Sequence, residues 1–227
     1  GRQQRRASDV RRALAARGLV EAVTFSFMAQ TRAASFGADD PELVLANPIS
    51  AELDRMRPSI LPNLLEAAER NTARGTADIA LFEIGPQYEP GTGGRQSLAA
   101  AGLRVGEIGP RNWAKSPRPV DAYDAKADAL AALSAAGAPI DSLRIEPEAP
   151  AWYHPGRSGA LMLGPKPLAW FGEVHPGVLA GLDLRGAAVA FEVLLDAVPP
   201  PKAKKSTARP MLHMAALQPV VRDFAFV

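Results

Sequence analysis

The sequence predicts an α+β domain built on a largely antiparallel sheet. Helical spacings are set among strand-like runs with no regular βαβ alternation, which argues against a parallel sheet. Three strand-like runs, over 159–163, 168–174 and 187–195, crowd together late in the chain, and Gly164-Pro165-Lys166-Pro167 makes a hairpin turn between the first two. The 227 residues, 47% of them hydrophobic, are enough to fill a core for one large domain or two small ones.

Taken in order, Ser8-Asp9 precedes Val10, Ala13, Leu14 and Arg17 at one-face helical spacing, and Gly18 stops the run, so a capped helix is expected over about 9–17. Leu19 to Met28 follows as a half-buried strand, because Val23, Phe25 and Phe27 alternate with Thr24 and Ser26. Leu43-Val44-Leu45 reads as a short strand and Asn47-Pro48 as a turn. Ile60 to Ala73 is an amphipathic helix started by Pro62 and stopped near Gly75. Asp78 to Tyr88 and Leu98 to Ile108 are long strands, joined through Pro90-Gly91-Thr92-Gly93-Gly94, a flexible connection. Asp124 to Ala136 is a helix. Pro199-Pro200-Pro201-Lys202-Ala203-Lys204-Lys205 is a stiff basic linker, so the expected division is a core over 1–198, a linker over 199–217 and the start of another domain over 218–227.

Composition excludes several classes. No run approaches the roughly 20 apolar residues of a membrane span. Zero cysteines remove disulfides, thiolate metal sites and cysteine nucleophiles, which suits a cytoplasmic protein. A net charge of +2 sets up no global field for nucleic acid, so any RNA contact is local. Of the 26 basic residues, 20 are Arg and 6 are Lys in an Ala-rich chain, a pattern that reads first as coding bias. The chain starts without Met, and its end, Phe224-Ala225-Phe226-Val227, reads as an unfinished strand, so an internal fragment is expected. Five arginines within Arg2–Arg12 lack the apolar stretch that would make a secretory signal.

The standard site chemistries each impose physical requirements on residue type and spacing. His154, His175 and His213 have no ligand partners at metal-site spacing, and a histidine beside Pro and Gly reads as a turn residue. Gly91 to Gly94 lacks the Lys and Ser/Thr of a phosphate-binding loop. Ser158 in Gly156-Arg157-Ser158-Gly159 misses the spacing of a nucleophile elbow. Glu83 and Glu173 belong to no carboxylate pair that spacing alone defines. No catalytic constellation emerges, so no catalytic, cofactor-binding or metal-ligating residue is assigned.

Several segments nevertheless point to a family. Asn47-Pro48-Ile49-Ser50, Glu52-Leu53 and Met56-Arg57-Pro58-Ser59-Ile60-Leu61-Pro62-Asn63-Leu64-Leu65 are followed by Leu81-Phe82-Glu83-Ile84-Gly85. Tyr153-His154-Pro155-Gly156-Arg157, Gly172-Glu173-Val174-His175-Pro176 and Ala190-Phe191-Glu192 complete the pattern. In order and spacing this resembles the bacterial phenylalanyl-tRNA synthetase β chain family over nearly all of residues 8 to 197, and Gln218 to Val227 looks like the opening of that family's ferredoxin-like anticodon-binding domain.

The resemblance implies a class II aminoacyl-tRNA synthetase-like, mostly antiparallel sheet flanked by helices and catalytically degenerate. In that superfamily an Arg on the second motif's strand clamps the ATP α-phosphate, whereas Ala80 to Gly85 carries none. The third motif normally brings Gly and another Arg, and Val189 to Leu194 has neither. The implied role is non-catalytic support of an α subunit in an α2β2 assembly that charges tRNA(Phe), with ATP and magnesium belonging to the whole enzyme. The alternative is a free-standing RNA-binding or regulatory paralogue. The first motif's helix makes a subunit interface in class II enzymes, so Val10, Ala13, Leu14 and Arg17 face either a partner or their own core. Arg57 at a helix start calls for a carboxylate or a partner. Lys202, Lys204, Lys205 and Arg209 are candidate tRNA contacts or a solvated linker.

Overall fold

The computed structural model describes residues 1–37, 40–109, 113, 116–182, 184, 186–200, 211, 214, 217–218 and 220–226. In chain order, α1 (Arg2–Ala16) leads to β1 (Val20–Glu21), β2 (Phe27–Met28) and α2 (Gln30–Ala34); β3 (Arg55–Met56) then precedes α3 (Leu61–Thr72). The long strands β4 (Ile79–Glu89) and β5 (Arg95–Val105) are followed by β6 (Glu107–Ile108), β7 (Arg118–Pro119) and α4 (Ala122–Ala135). The chain continues through β8 (Arg144–Glu146), β9 (Tyr153–Leu163), β10 (Lys166–Val174), the single-turn α5 (Pro176–Leu179) and β11 (Ala188–Leu194).

Seven strands form the central sheet, in the order β1-β4-β5-β11-β10-β9-β8. All its pairings are antiparallel except β1 with β4, which is parallel. The hairpin between β9 and β10 turns at Gly164-Pro165, and the register slips between Pro167 and Ala169, where a proline cannot donate to the ladder. Side chains alternate across the sheet. Phe82, Ala100, Val189, Phe191 and Val193 face a core closed by α1 and α4, while Ile79, Ala99, Ala101, Leu103 and Ala190 face a second core under α3. Phe191 lies flat against Gly102 on the neighbouring strand, where an added Cβ would come within 2.2 Å of the ring.

Helix α4 starts where Asp121 accepts the backbone N–H groups of Tyr123 and Asp124, and Asp124 reaches back to the N–H of Asp121. Burial alone would raise the Asp124 carboxyl, yet the Arg118 guanidinium and that N–H hold it below its ordinary value. Helix α1 has no acidic residue in its first turn, which its arginines oppose electrostatically. Arg6 offsets this by donating to the carbonyls of Ala136, Leu195, Val198 and Pro199, so α1 is held against the exit of the sheet domain.

Several expectations need correction. The helix expected over 9–17 begins at Arg2, seven residues earlier. The strand expected over 19–28 is broken: only Val20–Glu21 joins the sheet and Phe27–Met28 pairs with β3, leaving Val23 and Phe25 exposed, because β4 is the only sheet neighbour on that side. Leu43 closes a 3₁₀ turn over Pro41–Leu43, and Val44 makes an isolated bridge to Arg55 in place of a strand. The glycine loop is a held loop, since the Asp40 carboxylate accepts the N–H of Gly91 and Glu42 accepts that of Gly93 at 2.8 Å. Those backbone donors, from Glu42 and Gly91, keep the Asp40 carboxyl below its ordinary range. The described residues of 220–226 form no strand and expose their apolar side chains, since a lone run has no strand to pair with.

Candidate functional site

The sheet face beneath α3 carries polar groups in an apolar setting. Glu83 of β4 and Glu192 of β11 are both in register with Ala101 of β5, one from each side. Two strand spacings separate them, about 10 Å at the spacing of neighbouring strands. Both are buried, Glu83 at 3% exposure and Glu192 at 2%. The segment entering α3 supplies their partners.

Arg57 lies over Glu83. Its Nη1 donates to Glu83 Oε1 at 2.9 Å and to Thr24 Oγ1 at 3.0 Å, and its Nε donates to the Pro86 carbonyl at 2.7 Å. Thr24 in turn donates to Glu83 Oε2 at 2.6 Å. The guanidinium passes directly over Gly85, where a Cβ would come within 2.5 Å of Nη2. Two residues on, Ser59 donates to Glu192 Oε2 at 2.5 Å while accepting the N–H of Leu61, so one hydroxyl ties the first turn of α3 to the sheet. Trp152 Nε1 at 2.8 Å and the Tyr153 hydroxyl at 3.0 Å complete the set on Glu192 Oε1. Burial pushes the Glu192 carboxyl up, and the donors from Ser59, Trp152 and Tyr153 oppose that rise without cancelling it. Burial and then the Glu192 charge push the Tyr153 phenol well above its ordinary value.

This arrangement fixes a helix on a sheet. Arg57 is the guanidinium beneath α3 that could meet a phosphate, and it is fully engaged by Glu83, Thr24 and Pro86. A triphosphate would also meet two buried acids. No group of three or more His, Asp and Glu side chains among the described residues is placed to hold a metal ion. His154 and His175 each accept a backbone N–H two residues ahead, from Gly156 and Gly177, and so close turns. No helix among the described residues is long and apolar enough to cross a membrane.

The stripe on α1 divides. Val10 and Leu14 are fully buried in the core shared with α4, so of the two alternatives for them, a partner or their own core, the chain's own core covers them. Ala13 is half-buried. Arg17 turns to Asp128 of α4 at 2.5 Å, and Arg104 of β5 meets the other oxygen of that wholly buried carboxylate at 2.6 Å. Lys202, Lys204, Lys205 and Arg209 lie outside the described residues, as does His213. Sequence reasoning missed Glu192 and Asp128 as anchors. Asp128 recurs at helical spacing from Asp121 and Asp124, and an acid on a buried face of α4 was the available signal.

A different surface is exposed at the sheet edge. Beside β1 lies a cleft of about 900 Å³ between the 23–29 segment, the loop at 50–53 and α3. Val23, Phe25, Phe27, Met28, Leu53 and Asn63 are among the residues lining it.

Comparison with known proteins agrees with this architecture. Residues 1–195 match the family described as the phenylalanyl tRNA synthetase beta chain CLM domain. The chain is 57% identical over 98% of its length to the phenylalanine–tRNA ligase beta subunit of Paramagnetospirillum magneticum, and 57% identical over 99% to that of Rhodospirillum rubrum. It is 53% identical over 99% to the beta subunit of Brucella suis. It spans 28% of the length of each of these relatives. In fold it is similar to a pyrrolysyl-tRNA synthetase from Desulfitobacterium hafniense, with a TM-score of 0.63 at 19% identity, over 86% of this chain and 67% of that one. The motif order, the sheet beneath α3 and these matches together place the chain in the phenylalanyl-tRNA synthetase beta chain family.

Proposed function

We propose that this chain is a non-catalytic core module of a phenylalanine–tRNA ligase β subunit, and that it supports an α subunit in ATP-dependent charging of tRNA(Phe) with L-phenylalanine within an α2β2 assembly. The observation that carries the reading is the polar layer under α3: Arg57 pairs with Glu83 and Ser59 with Glu192, so these buried groups are taken up by one another. Such a layer holds one geometry and excludes water and ligand alike. Adenylation, with its ATP and magnesium, then belongs to the α subunit. Family membership supports the assignment, because the relatives are named as beta subunits of that ligase.

Phenylalanine-dependent pyrophosphate exchange tests the reading. Full-length β freed of α is expected to match a no-protein blank, and exchange is expected to appear on adding α. Exchange by β alone would overturn the non-catalytic assignment, and α whose charging of tRNA(Phe) gains nothing from β would overturn the supporting role.

A further inference from the structure

We infer that a pocket where β4 begins and β5 ends, away from the polar layer under α3, is a binding site for a free α-amino acid with an apolar side chain. The pocket holds about 360 Å³, at the small end of the range for ligand sites. Gly18, Asp78, Arg104, Glu107, Ile108 and Val120 are among the residues that line it. Arg104 is 8% exposed, so its charge sits in a largely dry wall.

Arg104 has a spare edge. Its Nε donates to Asp128 Oδ2 at 2.6 Å, and its Nη2 donates to Asp128 Oδ1 at 3.2 Å and to the Arg17 carbonyl at 3.0 Å. Its Nη1 takes no hydrogen bond among the described residues, yet it is not one of the sealed, unpartnered atoms of the interior; it reaches the pocket that Arg104 lines. A guanidinium carries five N–H donors in a fixed fork, and the two on Nη1 are left for an acceptor from outside. Asp128 is wholly buried and is also met by Arg17 at 2.5 Å, so one carboxylate stands between two guanidinium groups and one positive charge is left over. An incoming carboxylate takes up both the free donors and the excess charge.

The opposite charge is one strand away. Ala80 is in register with Arg104, which puts Asp78, two residues earlier, on the same face at the diagonal position, about 7–8 Å away. Asp78 accepts the N–H of Glu107 at 2.8 Å, so the two exposed acids share the rim. A simple anion is opposed by Asp78 and Glu107, and a simple cation by Arg104 and its excess charge; a zwitterion satisfies both ends. Ile108 and Val120 pack on the α1/α4 core and give the remaining wall an apolar surface. The fitting ligand therefore sets its carboxylate on Arg104, its ammonium toward Asp78 and Glu107, and its side chain on Ile108 and Val120.

The test uses full-length β freed of α, with L-leucine as the probe, and reads binding by titration calorimetry and by hydrogen exchange. L-leucine is expected to bind and to slow exchange at amides 106–109. L-leucinamide, which lacks the carboxylate, and isocaproate, which lacks the ammonium, are each expected to bind at least tenfold more weakly, and neither comparison disturbs the buried Arg104. Asp78→Asn with Glu107→Gln alters exposed side chains only, so the melting temperature is expected to hold while the affinity for L-leucine falls at least tenfold. No binding of L-leucine by wild-type β means that the pocket takes only water, and overturns the inference. Binding that is unaltered in the double variant, that leaves amides 106–109 unprotected, or that is matched by either analogue belongs to other chemistry and overturns it as well. Because α is absent throughout, none of these outcomes bears on the function proposed above, which the exchange assay tests separately.

Discussion

Arg57 holds a full charge at 1% side-chain exposure, with its counter-charge at 4%, so neither partner tolerates the loss of the other. Arg57→Met alone should cost about 3–5 kcal/mol, because Glu83 is then a buried charge without a cation. The double change Arg57→Met with Glu83→Leu should recover much of that, and urea midpoints of the three variants check it. The need for a carboxylate near Arg57 is legible in Met56-Arg57-Pro58-Ser59, and Glu83 stands in plain view in Leu81-Phe82-Glu83-Ile84-Gly85. Their pairing is not legible, because it depends on how α3 seats over β4. Glu192 gives a pH prediction. Its folded-state pKa is raised above the ordinary carboxyl value of 4.5, so the stability it contributes is fully present below that value and is lost as pH rises through the folded one. Glu192→Gln removes this titration, so relative to wild type its midpoint should be more favourable at pH 8 than at pH 4.

Long, paired elements were legible and short, unpaired ones were not. Leu61–Thr72, Ile79–Glu89 and Ala188–Leu194 were found within a few residues, because each keeps its period over two or more turns or a full ladder. The alternation of Val23, Phe25 and Phe27 was real, yet alternation makes a strand only where a neighbour supplies hydrogen bonds, and the backbone hydrogen bonds of β4 with this segment end at Ala22, whose N–H meets the Phe82 carbonyl. In α1 the burial of Val10 and Leu14 depends on α4, which lies more than a hundred residues later. Leu64→Ala should lower stability by about 2–5 kcal/mol at unchanged m, given full burial. Leu14→Glu should collapse thermal melting of the module, since a carboxylate would enter the core between α1 and α4; unchanged melting would return the helix to the surface.

Over the whole molecule, the two faces of one sheet are closed by different means. Under α1 and α4 the core is aromatic and aliphatic, with a wholly buried charge at Asp128 met by two guanidinium groups. Asp128→Ala would leave Arg104 largely buried and unpaired and should cost about 3–5 kcal/mol, loosening α1 and α4 together; a calorimetric melt reads both. Under α3, the acids at Glu83 and Glu192 flank Ala101 on a single rung. That rung bears on what this face can bind. To bind a phosphate on this face, a variant of this chain would have to place a cation where one of these acids stands. An arginine at 83 would confront Arg57 in a dry interior, and an arginine at 192 would face three hydrogen-bond donors already aimed at it. Either change weakens the fold, so the two acids hold each other's surroundings in place and a cation on this rung is disfavoured at both positions.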